Sequence, residues 1–238
     1  MNPALDNIVI VDIETVPIVP DYEKLSPRMQ EQWDKKSRFF RNEDEMTPAE
    51  MFADRGGIYA EFGKIVCIGM GYFTYSGNSP GLRALCLYDE DESKLLTEFN
   101  SHLAKFPNDL RLCAHNGKEF DYPYLCRRML INGLPLPTVL QISGKKPWEI
   151  GLVDTMELWK FGDFKSYTSL DLLASIFGIE SSKAGIDGSQ VSDVFYKEGN
   201  LKKIAEYCLR DIVVTAQVYL KLNQMDPIPQ DSITLLDL

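Results

Sequence analysis

The chain has 238 residues with 35 acidic and 25 basic side chains, which leaves a formal net charge of -10. Its 45% hydrophobic and 25% charged residues are ordinary for a globular protein and exclude a disordered or collagen-like chain. We expect neither a membrane span, which needs roughly 20 apolar residues in succession, nor a secretory signal. The acidic charge argues against a protein that coats nucleic acid, because phosphate contacts need a positive surface.

The five cysteines are odd in number, lie mostly in apolar runs and form no CxxC pair. This pattern is typical of buried thiols in a reducing compartment rather than of a disulfide framework or a zinc site. We therefore expect a cytoplasmic protein.

Apolar residues that alternate or run continuously predict strands at 7–15, 64–75, 82–88, 110–114 and 152–154. Helical periodicity predicts helices at 92–106, 120–132, 155–161, 168–177 and 201–222. Strands that come first and then alternate with helices predict a mixed sheet with helices on its faces.

Residues 21–55 have a different composition, charged and amphipathic, and predict two helices. The second helix is opened by a capping box from Thr47 to Glu50, with Pro48 at its first position. We interpret this segment as an insertion over the main fold, because it is too short to hold a hydrophobic core of its own.

Two carboxylates leave the same face of the first strand, because Asp12 and Glu14 are two residues apart. Neighbouring anions beside an apolar core are unfavourable unless a cation neutralises them. The pattern alone is weak, since Asp21 and Glu23 repeat it, and a hydrogen-bonding pair at the surface end of a strand is the alternative.

A second polar group follows the strand at 110–114, where the run 115–121 leads through an Asn-Gly turn to Phe120 and Asp121. It places Asp121 at the start of a helix, where a negative charge is favoured by the helix dipole. The alternative is that Asp121 is simply the N-cap of that helix.

A third group lies on the last helix, where Tyr207 and Asp211 are one turn apart and share a face beside the apolar stripe. The same spacing recurs at Tyr167 and Asp171, but there it straddles a predicted helix start, where polar residues cap the helix. We interpret the second occurrence as unrelated to the site.

In this order, the three groups resemble the Exo I, Exo II and Exo III motifs of the DEDD superfamily of 3'-5' exonucleases. The sequence is most similar to the exonuclease domain of family B DNA polymerases, through residues 12–15, 64–69 and 207–211. The resemblance spans about 5–222 and does not explain the insertion or the tail after Met225. Tyr207 indicates the DEDDy branch, since the histidine branch has its histidine where Glu206 stands here.

The resemblance implies a ribonuclease H-like α/β fold: a mixed five-stranded central sheet flanked by helices, with the insertion after the first strand. It implies one exonuclease domain over 1–238. There is no room for a polymerase, so we expect a stand-alone enzyme that trims single-stranded DNA 3' ends and releases nucleoside 5'-monophosphates. A 3'-5' exoribonuclease and a catalytically silent nucleic-acid-binding module are the alternatives, and a protein partner in repair or replication is compatible with each.

The resemblance also implies two divalent cations, Mg²⁺ or Mn²⁺, because these hard ions require oxygen ligands and catalyse phosphodiester hydrolysis in pairs. The carboxylates that would bind them are Asp12, bridging both ions, with Glu14, Asp121 and Asp211. Tyr207 would orient the attacking water through its hydroxyl, since a tyrosine of ordinary pKa is a poor base. Asn116 and Phe120 would shape the groove for the 3' end.

One further acid, Asp154, ends the short strand at 152–154. We interpret it as the cap of the helix that starts at Thr155 rather than as a metal ligand.

Overall fold

The computed structural model describes residues 5–41, 45–77, 79–163, 167–181 and 185–236. The described strands are β1 Ile8–Pro17, β2 Gly63–Ser76, β3 Ser79–Tyr88, β4 Arg111–Ala114, β5 Leu152–Asp154 and β6 Ile233–Leu235. The described helices are α1 Pro27–Ser37, α2 Pro48–Arg55, α3 Glu92–Leu103, α4 Asp121–Ile131, α5 Thr155–Lys160, α6 Leu170–Phe177, α7 Val191–Asp193 and α8 Leu201–Leu222. A single wider helical turn, Val194–Glu198, continues α7.

The strands form one mixed sheet in the order β5-β4-β1-β2-β3-β6. Neighbours β1 and β2 are antiparallel, as are β2 and β3, whereas the other three pairs are parallel. The predicted class, a mixed sheet flanked by helices, is confirmed. The sheet has six strands rather than five, because the tail returns to pair Ile233 with Leu82 at the edge of β3.

The central strand β1 is buried on both faces, and its alternating residues belong to two separate cores. Ile8 and Ile10 join the core that contains α8, whereas Val9, Val11 and Ile13 join the core that contains α3 and α4. Burial of each side chain of this size stabilises the fold by about 1.5–3 kcal/mol. Because side chains alternate along a strand, the next even-numbered residue of β1 also faces α8.

That next residue is Asp12, which pairs with Gly69 on the neighbouring strand β2. A Cβ atom on Gly69 would lie 2.6 Å from Cγ1 of Ile212 and 2.8 Å from the sulfur of Cys208, both on α8. The glycine thus allows α8 to approach the sheet at the level of Asp12, which brings the third motif to the first.

The insertion forms a small separate core together with flanking residues, among them Phe62 beyond its end. It therefore supplies most of a core but does not complete one alone, in keeping with the interpretation that it packs over the main fold. Trp33 is fully buried there, with the rings of Phe62 and Phe52 edge-on at 5.0 and 5.2 Å. Its indole N–H donates to the carbonyl of Pro48 at 2.7 Å. Large aromatic side chains supply enough buried area to stabilise so short a segment. Residues 42–44 of the insertion lie outside the described residues.

All five cysteines are free thiols, and four of them are buried. None of the helices within the described ranges is long and apolar enough to cross a membrane.

Candidate active site

The three sequence motifs converge beside the C-terminal half of β1. Glu14, Asp121 and Asp211 all act electrostatically on Asp12, and the same two aspartates act on Glu14. The sulfur of Cys208 lies 3.4 Å from Oδ2 of Asp12, which fixes α8 against the strand. The structure therefore brings together four carboxylates from β1, α4 and α8.

Asp12 and Glu14 follow the alternation of the strand, and the strand is irregular just beyond them. Glu14 pairs with Cys67 and the next residue, Thr15, pairs with Ile65, so the pairing skips Val66. Such a bulge increases the local twist and re-aims the side chains around it, and bulges recur next to active sites. Glu14 is buried, whereas Asp12 keeps part of its surface open.

Asp121 is the first residue of α4 and does not cap that helix, so the N-cap alternative is wrong. The N-cap is Phe120, which has no side-chain cap hydrogen bond. One carboxylate oxygen of Asp121 instead accepts a hydrogen bond of 3.2 Å from the backbone N–H of Ile13. This bond joins the second motif to β1 between the two acids of the first motif.

On α8, Tyr207 and Asp211 stand one turn apart on the face directed at the cluster, and a hydrogen bond joins their side chains. Asp211 is buried. Tyr167 and Asp171, which have the same spacing, do not belong to the cluster. Tyr167 is 71% exposed, and Asp171, in the first turn of α6, accepts a hydrogen bond from Ser181.

Burial and mutual repulsion raise the pKa values of the clustered acids. The pKa of Asp12 and that of Glu14 lie well above their ordinary values, first because of burial and then because of neighbouring carboxylates. Burial raises the pKa of Asp121 to about 7, against the lowering effect of its backbone hydrogen bonds. The cluster is therefore an unfavourable place for anions in the absence of a cation.

The same environment keeps Tyr207 protonated. Its pKa is raised mainly by burial and then by the negative charge of Asp211 and Glu14. The phenol can therefore donate or accept a hydrogen bond in the site, but it cannot serve as a base near neutral pH.

The donor set fits hard divalent cations. The strongest electrostatic influences on Asp12 come from other carboxylates, so cations would relieve the repulsion. Asp12, Glu14 and Cys208 each place a ligand atom within 4.8 Å of the others. Burial raises the pKa of the Cys208 thiol well above its ordinary value, so its neutral sulfur leaves the carboxylate oxygens as the ligands.

Asp154 caps α5 as expected, and it has a second role that the sequence did not reveal. One carboxylate oxygen accepts from the N–H groups of Met156 at 2.9 Å and Asn116 at 3.0 Å, and the other accepts from Lys118 at 3.0 Å. Asp154 thereby ties the start of α5 to the turn that leads to Asp121. Only the tertiary packing of β4 beside β5 makes that contact, so no local signal could have indicated it.

The two residues expected to shape the groove lie in the turn between β4 and α4. Asn116 adopts a left-handed conformation with φ of 60°, and its buried Oδ1 accepts no hydrogen bond from the residues that the structure describes. Phe120 packs against Tyr124, with ring centroids 5.4 Å apart, and lines a cleft next to Glu14.

Two residues that make tertiary contacts were assigned no role from the sequence. Cys208 contacts Asp12, and its position directly after Tyr207 in the third motif was the available signal. His115 follows β4 and contacts the hydroxyl of Thr155 and the carbonyl of Thr168, each at 2.9 Å. Burial lowers the pKa of His115, so the neutral imidazole joins the start of α5 to the segment before α6.

A comparison with known protein families identifies one that matches most of the chain. A family model described as "Predicted 3'-5' exonuclease related to the exonuclease domain of PolB" matches residues 58–230, which is well over half of the chain. The matched segment includes Asp121, Tyr207 and Asp211 but begins after Asp12 and Glu14. A comparison with curated protein sequences gives no significant match.

Among solved structures, the chain is similar to the family B DNA polymerase from the hyperthermophilic archaeon Pyrobaculum calidifontis. The TM-score is 0.55 at 16% sequence identity, and the match covers 92% of this chain. The chain spans only 24% of the length of that polymerase. This likeness shows the fold.

Proposed function

Because the chain belongs to the family of predicted 3'-5' exonucleases related to the exonuclease domain of PolB, we propose that it removes nucleotides from the 3' end of single-stranded DNA. The products would be nucleoside 5'-monophosphates. The observation that carries the proposal is the convergence of four buried or half-buried carboxylates from three distant segments, with raised pKa values for Asp12, Glu14 and Asp121. A structural role would not require four mutually repelling anions at one place.

The residues that would hold two divalent cations, Mg²⁺ or Mn²⁺, are Asp12, Glu14, Asp121 and Asp211. When bound, such ions supply positive charge for the pentavalent transition state and make a water molecule acidic enough to attack at neutral pH. The protein keeps the four carboxylates in place through the β1 backbone, the bond from Ile13 to Asp121 and the close approach of α8.

Tyr207 would act by position. Its protonated hydroxyl lies beside Asp211 and can hold the attacking water in line with the scissile bond. Tyr207→Phe should therefore lower kcat roughly 10- to 100-fold and leave metal affinity almost unchanged. Steady-state trimming of an oligonucleotide, combined with a Mn²⁺ titration, measures both quantities. Unchanged kcat in the variant would contradict the positioning role.

The formal net charge of -10 restricts how a DNA strand can bind to the protein. Four of these charges belong to the site and would be neutralised by two divalent ions. The rest of the surface remains acidic, so we expect modest affinity for single strands that falls as salt rises.

The experiment that tests the function compares matched pairs of variants on 5'-labelled DNA and RNA oligonucleotides of the same sequence. Asp12→Asn and Asp211→Asn should abolish Mg²⁺-dependent shortening from the 3' end, whereas Asp171→Asn should retain it. Asp171 is the matched control because it has the same Tyr-x-x-x-Asp spacing outside the cluster. Full activity in Asp12→Asn would exclude the proposed site, and faster shortening of RNA would make the protein an exoribonuclease.

A further inference from the structure

A cleft of about 300 Å³ opens beside Glu14, and part of its wall belongs to the insertion. We propose that α2 and the turn at 188–192 complete a pocket for the one nucleotide at the 3' end of the strand, which gives the insertion a role in substrate selection. This inference rests on the proposed function. It goes beyond the acid cluster because it adds to Glu14 and Phe120 a recognition wall from residues outside all three motifs.

The cleft has a catalytic end and a recognition end. Glu14 of β1 and Phe120 line it on the side of the acid cluster. The insertion contributes Ala53 and Asp54 of α2, and the turn that follows it contributes Ile58. On the other side lie Ser189, in the turn before α7, and Ser192 of α7. A nucleotide placed there would have its phosphate near the carboxylates and its base and sugar against the insertion.

The wall formed by α2 and the turn Gly56–Ile58 is anchored on two sides. A Cβ atom on Gly57 would lie 3.1 Å from the backbone of Val16, so this glycine lets the segment after α2 pack directly against the end of β1. The hydroxyl of Tyr124 donates to the carbonyl of Gly57 at 2.8 Å. On the other side of α2, Phe52 is fully buried against Trp33. The wall is thus fixed to both the main fold and the core of the insertion.

The opposite wall is tied to the same strand end. The hydroxyl of Tyr196, just after α7, donates to the carbonyl of Pro17 at 2.6 Å. Val191 is fully buried in the core that contains α8. Because both walls are attached to the last residues of β1, the width of the cleft is set by the fold rather than by loop conformation.

The size and lining of the cleft select its occupant. A volume of about 300 Å³ is at the lower end for small-molecule sites and accommodates one nucleotide rather than two. Ile58 leaves 49% of its surface exposed, and Phe120 lies on the same cleft, so a base has apolar and aromatic partners. The hydroxyl of Ser192 is suited to a sugar, whose hydroxyl groups both donate and accept hydrogen bonds, and Ser189, which donates its own hydroxyl to Asp187, can still accept one.

The test fills the cleft from the insertion side. Ala53 is exposed on α2, so Ala53→Trp should fold normally while its indole occupies the space for the base. The matched control is Leu130→Trp, which adds a similar side chain at a site on α4 that is 65% exposed and does not line the cleft. Calorimetry with thymidine 5'-monophosphate in the presence of Mn²⁺ measures the affinity of each protein for one nucleotide.

We expect Ala53→Trp to weaken nucleotide binding at least about tenfold and to leave Mn²⁺ binding unchanged, whereas Leu130→Trp matches the wild type in both. Ile58→Ser, which removes an apolar contact without filling the cleft, should weaken binding to a smaller extent. Equal nucleotide affinity in Ala53→Trp and wild type, or no affinity in wild type, would overturn the inference. Failure of the proposed function would appear separately, as a wild type that does not shorten oligonucleotides.

Discussion

Glu92 and the acid cluster on β1 are both buried, but their charges are balanced in different ways. The carboxylate of Glu92 accepts from Nε of Arg128 at 2.9 Å, and the same guanidinium bonds its second oxygen. Glu92 also accepts from the N–H of Ile65 at 2.8 Å and from Asn132 at 2.9 Å. This pair joins α3, α4 and β2, and every polar group in it has a partner within the fold.

In the acid cluster the neighbouring charges are of the same sign. Asp12 and Glu14 are influenced mainly by burial and by other carboxylates, and their pKa values rise accordingly. The protein thus places an arginine on the carboxylate that holds helices together, whereas the charges that act most strongly on Asp12 and Glu14 are other carboxylates. On the proposed function, this contrast distinguishes a structural acid from the acids of the site.

The largest effect should come from breaking the structural pair. Arg128→Met leaves Glu92 buried without its cation, and we expect a loss of about 3–5 kcal/mol in the free energy of unfolding. Urea denaturation measures it. The double variant Arg128→Met/Glu92→Leu should recover most of the loss, because it removes both charges. A single variant as stable as the wild type would mean that the pair has no role in holding the helices.

A smaller loss of stability should follow from removing Asp154, which links the start of α5 to the turn that leads to Asp121. Asp154→Ala deprives the N–H groups of Asn116, Lys118 and Met156 of their acceptor, and we expect a loss of about 2–3 kcal/mol. Because the turn leading to Asp121 is also released, Mn²⁺ affinity should fall, which it should not do in Arg128→Met. Unchanged metal affinity in a folded Asp154→Ala variant would contradict the link to the site.

Removing a charge from the acid cluster should stabilise the protein, whereas removing the charge of Arg128 should destabilise it. The pKa of Asp121 is about 7 in the folded protein and about 4 in the unfolded chain, so its protonated form is favoured by folding. Its contribution to stability is fully present below pH 4 and is lost as the pH rises through 7.

Asp121→Asn keeps the acceptor for the N–H of Ile13 and removes the charge. In the absence of metal it should raise stability at pH 7.5 by about 1–2 kcal/mol and flatten the dependence between pH 5.5 and 8. Thermal unfolding with a chelator present measures this. A variant less stable than the wild type at pH 7.5, or one with the same pH dependence, would contradict the account.

The smallest effect should come from an exposed ion pair near the same loops. Lys118 and Glu157 form a salt bridge between half-exposed side chains. Lys118→Ala should change stability by less than about 1 kcal/mol, since solvent screens such pairs. Denaturation in low and high salt measures it, and a loss comparable to that of Arg128→Met would contradict the distinction between buried and exposed pairs.

Much of this arrangement follows from local sequence. The β-branched run of β1 predicts a buried strand, and its alternation places Asp12 and Glu14 on one face. The stripe of α8 predicts that Tyr207 and Asp211 lie beside the core, and the helix has the predicted bounds of 201–222.

Other features depend on contacts between distant segments and could not be read locally. Three residues of β6 are a strand only because β3 offers an edge. The core around Trp33 needs rings from distant parts of the insertion and from Phe62 beyond it, and α7 has too few residues for a periodic signal. The partners of Asp154 and the cleft beside Glu14 likewise exist only in the folded chain.

The most direct measurement is calorimetric titration of Mn²⁺ into wild type, Asp12→Asn and the control Asp171→Asn at neutral pH. If the carboxylates of the cluster bind divalent cations, wild type and Asp171→Asn should each bind two ions, and Asp12→Asn should lose most of that binding. Equal binding in Asp12→Asn and wild type, or no binding in wild type, would contradict the claim that this cluster is a metal centre.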